Sequence, residues 1–482
     1  MNTALVFNLT GVVLLFSSLF MLIPFFVSLV YKGTDISSLG ISLVITFISG
    51  LILFFLTQSQ KKVELKIRDG FAVVTFSWLA MSFFGALPYI ISGVTPSFSD
   101  AYFESMAGFT TTGASVLNNL EAMPKGILMW RSLTQWMGGM GIIVFSLAIL
   151  PMLGAGGMQL FKAEVPEIGV EKLRPRIIDM AKSLWYIYAG LTAILAVLLS
   201  IAGMTVYDAF CHAFTTMATG GFSTKTASIA HFQSVYIDII ITVFMFLAGI
   251  NFSLHFYALR GNFSKFPKSS EFKFYCLVTL VATLVITVST MGSAHSSLSE
   301  ALRYASFQVV SIMTTTGFAT ADYELWPVLC QILLFSLMFL GGMVGSTGGG
   351  MKQVRILLMF KQAYREMYYL IHPHALTALK LDDKNVPKET LGGIWGFLFL
   401  FILISVVATF GMAALGSDII TSASTVISAM SNVGPALGDA GPAENYASIP
   451  ALGKWILALC MLIGRLEIYT VILLFMPVFW EK

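Results

Sequence analysis

Charge is what this chain has least of. Asp, Glu, Lys and Arg together supply 11% of its 482 residues against 57% hydrophobic ones, and the whole run 4–31 carries no charge. That balance excludes an ordinary soluble domain. Many windows exceed the roughly 20 apolar residues that cross a bilayer as helix, and lipid offers the backbone no hydrogen bonds, so these spans must be helical. The run 4–31 has no basic leader region and no small-residue cleavage site, and it is too long for a signal peptide, so it reads as a retained helix.

Cysteine is scarce as well. Cys211, Cys276, Cys330 and Cys460 stand far apart in apolar stretches. This excludes a disulfide framework or thiolate metal site and leaves small core residues. No chain of Asp, Glu or His inside the apolar runs marks a proton path. No Ser/His, paired-Asp or His/Glu constellation at membrane depth supports an enzyme. The connecting loops hold no phosphate-cradling glycine motif, so no organic cofactor is expected on this chain. The net charge of +3 comes without an arginine- and aromatic-rich soluble module, which excludes nucleic acid as a partner. Of the 28 Lys and Arg residues, 21 fall in segments 60–69, 160–182, 260–273 and 352–388 and at the C-terminal tip. This asymmetry puts those loops in the cytoplasm.

Glycine, by contrast, is abundant, with 41 residues, and four of its occurrences are matched. The stretches are Thr110-Thr111-Thr112-Gly113, Ala218-Thr219-Gly220-Gly221, Thr314-Thr315-Thr316-Gly317 and Ser431-Asn432-Val433-Gly434. The final glycine of each stands 13 residues after Asp100, Asp208, Tyr304 and Thr421 respectively, the starts of four similar segments. Around each turn the same order recurs: a long apolar helix, a half-length helix, the turn, a second long helix. The first repeat uses 71–92, 99–109 and 126–153, the second 183–204, 207–218 and 236–259. The third uses 274–291, 298–313 and 327–359, with an interruption, and the fourth 391–415, 418–430 and 451–477. The chain thus divides into two leading helices (1–70) and pore repeats at 71–182, 183–273, 274–390 and 391–482. The fold predicted is all-α and polytopic, with about ten spans and four half-helices in a pseudo-fourfold arrangement. Each repeat crosses twice, so all four run in parallel, which favours a pore over a rocking carrier.

Asp100, Asp208, Ser297 with Glu300, and Ser417-Asp418 supply helix-start signals for the half-helices. The C-terminal, partly negative end of each then faces the membrane centre, where it favours a cation. A single Thr-Thr-Thr-Gly reads as a helix C-cap; four in matched contexts read as a ring of carbonyls around a dehydrated ion. No carboxylate lies within the turns, which argues against a divalent-cation pore and for a weakly hydrated monovalent ion such as K⁺.

The whole chain resembles the TrkH-type subunits of the Trk/Ktr/HKT superfamily of K⁺ transporters. The resemblance rests on the two leading helices, the four repeats, Gly-Gly-Phe-Ser-Thr at 220–224 and Asn-Val-Gly-Pro at 432–435. It implies K⁺ held by carbonyls just ahead of each filter glycine. On this chain the filter is Thr111, Thr112 and Gly113; Thr219, Gly220 and Gly221; Thr315, Thr316 and Gly317; and Asn432, Val433 and Gly434. Glycine at the first filter position goes with K⁺ in that superfamily and serine with Na⁺; here Gly113 is glycine. Four unequal turns with one matched glycine each predict weaker K⁺/Na⁺ discrimination than in tetrameric K⁺ channels.

Two further features bear on gating. The run 341–350 holds six glycines among ten residues. Glycine costs about 1 kcal/mol each in a helix relative to alanine. A flexible loop below the filter, around Gly345, Ser346, Thr347, Gly348, Gly349 and Gly350, is the expectation, with a GxxxG packing ladder as the alternative. Arg465 stands inside the last apolar run, to bond loop carbonyls and oppose cations, or else to pair with Glu467 or reach the cytoplasm. The resemblance implies an intramembrane gating loop here, a homodimer in the bacterial inner membrane, and a cytosolic TrkA-type ring binding NAD, ATP or ADP. The function expected is a gated K⁺ pathway. Na⁺- or H⁺-coupled K⁺ symport, or a less selective monovalent cation pathway, is the alternative.

Overall fold

The computed structural model describes residues 1–57, 66–148, 173–375, 377–382 and 384–481. The basic stretches 60–65 and 160–172, the end of the 126–153 helix and Lys482 lie outside them. Helices α1 (Thr3–Tyr31) and α2 (Ile36–Leu56) pair through a stripe of small and hydroxyl residues: Thr10, Gly11, Ser17 and Ser18 against Ser38, Ser42, Thr46 and Gly50, all buried or half-buried. A Cβ on Gly11 would stand 2.9 Å from the Gly50 carbonyl oxygen. Close backbone approach of this kind is how helices associate where lipid is as apolar as leucine. Asp35, ahead of α2, joins the pair to the rest, because its buried carboxylate accepts a hydrogen bond from the Ile127 amide at 2.8 Å.

Four helix–half-helix–helix units follow. The first is α3 (Ile67–Gly85), α4 (Phe98–Phe109) and α5 (Lys125–Ala148). The second is α6 (Leu173–Ile201), α7 (Val206–Met217), α8 (Val235–Ala248) and α9 (Phe252–Leu259). The third is α10 (Ser270–Thr290), α11 (Leu298–Met313), α12 (Val328–Leu340) and α13 (Gln353–Ile371). The fourth is α14 (Lys388–Ala414), α15 (Ile419–Ser431) and α16 (Ala451–Arg465). Among the described residues six helices are long and apolar enough to span a membrane, or eight if two bent pairs count as spans. Helix α12 is too short for that test because its continuation is interrupted, as the glycine run predicts.

Two other interruptions correct the sequence reading. The predicted helix 236–259 bends by 100° between α8 and α9, and the predicted helix 451–477 bends by 112° after Arg465. Neither contains a proline at the break; Gly249 ends α8, and Asn251 caps α9 by accepting from the Ser253 amide at 2.8 Å. Beyond Arg465 both Glu467 and Ile468 take positive φ (58° and 56°), which ends the helix.

The half-helices start as their sequences specify. Ser97 accepts from the Asp100 amide, Thr205 from Asp208, Ser297 from Glu300 and Asp418 from Thr421, at 3.1–3.3 Å. The acids at 100, 208 and 300 occupy the third helical position of a capping arrangement, and the hydroxyl residues ahead of them are the caps. All four half-helices carry long buried stretches: α4 is buried throughout from Asp100 to Phe109.

Candidate functional site

Each half-helix ends in the same way. Thr111, Thr219, Thr315 and Asn432 are left-handed, with φ of 51°, 52°, 59° and 57°. The amide after each bonds back five residues: Thr112 to Ala107, Gly220 to Thr215, Thr316 to Ser311 and Val433 to Ser428, at 2.8–2.9 Å. This is the Schellman closure of a helix C-terminus. The left-handed cap is therefore a threonine or asparagine, not the matched glycine. Gly113, Gly221, Gly317 and Gly434 form a second left-handed position, at φ of 81°, 77°, 81° and 103°. The chain there alternates in handedness, which turns successive carbonyls to the same side.

The four turns meet in a closed ring. A Cβ on Gly113 would collide with the Gly220 carbonyl oxygen, one on Gly221 with that of Thr316, one on Gly317 with that of Val433, and one on Gly434 with that of Thr112. Each glycine thus faces the carbonyl just ahead of the next repeat's glycine, and the fourth closes on the first. Positive φ and this approach together require glycine at all four positions. The structure brings all twelve filter residues of the sequence reading together at one place. Thr111, Thr112, Thr219, Thr315, Thr316, Asn432 and Val433 are fully buried.

Side chains brace the ring from behind. Thr110 and Thr112 share a hydroxyl hydrogen bond of 2.8 Å, as do Thr314 and Thr316. In the fourth turn, which lacks threonine, the Asn432 amide donates to Thr112 Oγ1 and to the Met461 carbonyl, both at 3.0 Å. Arg131 on α5 donates to Glu104 of α4 at 2.5 Å and to the Ser223 carbonyl at 2.8 Å, with its guanidinium over the Phe222 ring. Glu104 in turn accepts from the Val116 amide at 2.9 Å. From sequence, Arg131 and Gln135 read as interhelical hydrogen-bonding residues rather than ligands, which is how they bond here, whereas Glu104 gave no reading of its own. A carboxylate in the interior of an otherwise apolar half-helix, beyond the Asp100 of the cap, was the available signal, since a buried charge demands a partner.

The segment between Leu340 and Gln353 lies against the helix ends that carry the ring. Thr347 Oγ1 donates to the Met217 carbonyl at 3.0 Å, the Gly349 amide to Thr315 Oγ1 at 2.6 Å, and the Gly350 amide to the Ser431 carbonyl at 2.9 Å. It therefore touches the ends of the half-helices of repeats two, three and four. Gly345, Ser346, Gly348 and Gly349 all belong to this segment, and Gly341, Gly345 and Gly350 have positive φ, so the GxxxG ladder reading does not hold. The break at 249–251 makes room for it: the Met343 amide donates to the Gly249 carbonyl and the Phe252 amide to that of Gly345.

Arg465 is buried at the end of α16, not inside a longer helix, and its Nη1 donates to the Thr347 carbonyl at 2.8 Å. Glu467 pairs with Arg355 instead. Lys352, counted by sequence among the cytoplasmic cations, is buried and donates to the Gly348 carbonyl. The buried Glu271 carboxylate at the start of α10 accepts from the Val344 and Val354 amides, at 2.9 and 3.2 Å. Lys352 and Glu271 sit in stretches that look like solvated loop in sequence, so periodicity gave no signal for them.

Among the described residues no group of three His, Cys, Asp or Glu side chains could hold a metal ion, and all four cysteines are free.

The family model TrkH, described as a cation transport protein, matches residues 37–482. The chain is 41% identical to the Trk system potassium uptake protein TrkH of Halomonas elongata, covering all of both chains. It is 40% identical to that of Escherichia coli K12, over 98% of this chain and 99% of the relative. Its fold superposes on the crystal structure of the potassium transporter TrkH from Vibrio parahaemolyticus with a TM-score of 0.92 at 38% identity, over 100% of both chains. With its spans and its buried ring, the chain is a multi-pass membrane protein and no enzyme, and it belongs to the TrkH family of cation transport proteins.

Proposed function

We propose that this chain is the K⁺-translocating pore subunit of a Trk-type uptake system in the bacterial inner membrane. K⁺ is the cargo, held in the ring of carbonyls at Thr111–Thr112, Thr219–Gly220, Thr315–Thr316 and Asn432–Val433. The observation that carries this reading is the closed cycle in which each left-handed glycine faces the carbonyl ahead of the next. A dehydrated monovalent cation needs several oxygens at similar distance, and backbone carbonyls fixed by helix C-caps supply them without a carboxylate. Relatives named as potassium uptake proteins support K⁺ as the ion. The division into repeats at 71–182, 183–273, 274–390 and 391–482 is part of the same reading.

The segment from Gly345 to Gly350 is the gate, with Arg465 its electrostatic latch. It reaches three of the four half-helix ends, and its glycines let it rearrange with little steric penalty. A homodimer and a cytosolic TrkA-type ring binding NAD, ATP or ADP complete the system, the ring docking on the basic loops.

The test is ⁸⁶Rb⁺ uptake into proteoliposomes holding the purified chain, with K⁺ or Na⁺ as competitor. Uptake suppressed by K⁺ and barely by Na⁺ supports the reading. Folded protein that takes up no ion, before and after deletion of residues 345–350, overturns it; uptake that appears only after the deletion assigns the block to the loop.

A further inference from the structure

The four positions just ahead of the ring glycines are Thr112, Gly220, Thr316 and Val433. Three have a side chain behind their carbonyl, and the second has none. We propose that Gln135, on α5 of the first repeat, is a working part of the second repeat's filter: it stands in for the missing side chain and sets the strength of the Gly220 carbonyl.

Gln135 is fully buried. A Cβ built on Gly220 would run into its carboxamide, with Nε2 at 2.8 Å, so the carboxamide fills the space a side chain at 220 would take. Its two ends clamp the filter backbone. Nε2 donates to the Gly220 carbonyl at 2.6 Å, and Oε1 accepts from the Phe222 amide at 3.0 Å. The second bond fixes which end is nitrogen, since only an oxygen accepts from an amide. The Gly220 oxygen is also the one that Gly113 faces in the ring. No donor is placed in this way on the Thr112, Thr316 or Val433 carbonyls among the described residues' hydrogen bonds.

A donor on a coordinating carbonyl draws electron density from the oxygen and lowers the field it offers an ion. Weak-field ligands favour the larger, less hydrated K⁺, and strong-field ligands favour Na⁺. Gln135 therefore shifts one quarter of the ring towards K⁺. Gln135 is a positioning and specificity residue that acts through Gly220. The inference rests on the filter reading and deepens it.

The test is isothermal titration of K⁺ and of Na⁺ into the purified full chain, which does not depend on the gate being open. Q135L and Q135E, the latter keeping an acceptor for Phe222 but losing the donor, should each lower the K⁺-over-Na⁺ affinity ratio about threefold to tenfold, the worth of one hydrogen bond. Gly220 does not have positive φ, and the three atoms nearest a Cβ there all belong to the Gln135 carboxamide, so a side chain at 220 takes the space that carboxamide leaves. The double variant Q135A/G220T refills the space without restoring the donor, so its ratio should stay as low as that of Q135L; recovery of the wild-type ratio there would reduce Gln135 to a space-filling role and overturn the inference. A selective wild type whose ratio is unchanged in folded Q135L and Q135E overturns the inference alone. A wild type that binds K⁺ and Na⁺ equally overturns the filter reading and the inference with it.

Discussion

Arg465 holds the Thr347 carbonyl: the guanidinium at the end of α16 is bonded at 2.8 Å to the middle of the glycine-rich segment. The Nε and Nη2 of the same guanidinium have no partner among the described residues. A buried cation beside the route of a cation raises its barrier by about 1–2 kcal/mol at an effective dielectric near 20. Arg465→Gln should therefore raise ⁸⁶Rb⁺ uptake roughly tenfold. Unchanged uptake in folded variant protein would reduce Arg465 to an anchor.

Glu271 ties both limbs of the segment at once, through the Val344 and Val354 amides. Hydrogen bonds to a charged group are worth about 1.5–3 kcal/mol. Glu271→Gln weakens the pair, so basal uptake should rise and the melting temperature should fall. A lower melting temperature with unaltered uptake would confine Glu271 to holding the fold.

Gly317 has φ of 81° and no room for a Cβ, because the Val433 carbonyl oxygen fills the space. For an L-residue the left-handed backbone alone costs about 1–2 kcal/mol. Gly317→Ala should abolish K⁺ preference in competition assays. Gly392→Ala, where nothing stands within 4 Å, is the matched control and should behave as wild type. Equal K⁺ preference in the two variants would remove Gly317 from the filter.

Away from the ring, Glu121 joins the chain after the first turn to that after the second. It accepts from the Thr226 amide at 2.9 Å and from the Thr226 hydroxyl at 2.7 Å. Its slight burial pushes the carboxyl up, but the Thr226 bonds and nearby His231 outweigh that and hold it below the usual carboxylate range. A depressed folded pKa means the stabilisation is fully present above the unfolded value of about 4.3 and is lost as pH falls through the folded one. Glu121→Gln should lower the melting temperature slightly at pH 7 and leave it equal to wild type near pH 2. A difference that persists unchanged at low pH would rule out the carboxylate as its source.

Much of this was legible in the chain. Spans followed from hydrophobic runs, half-helix starts from Asp100, Asp208, Ser297 and Asp418, and the third repeat's interruption from its glycines, whereas the caps Ser97 and Thr205 emerged only in the structure. The breaks at 249–251 and after Arg465 were not legible, since both runs are as apolar as a continuous helix. They exist because the segment 341–352 needs the Gly249 carbonyl and the space beside Arg465. Nor was the position of the cap legible, two residues ahead of each matched glycine. Glycine is the usual left-handed residue, yet Thr111, Thr219 and Thr315 take that conformation under the hold of the helix-end bonds and the packed ring.

What the sequence determined by itself is local and repetitive: membrane class, fourfold recurrence, and glycine at four matched positions where φ must be positive. Those depend on composition and short spacing, which sequence carries directly. What only the tertiary structure decided is which groups meet across repeats. Gln135 reaches Gly220 across 85 positions, Glu271 reaches Val344 across 73, and Arg465 reaches Thr347 across 118. Burial of a polar group fixes that it must find a partner. Only the packing of distant helices fixes which one.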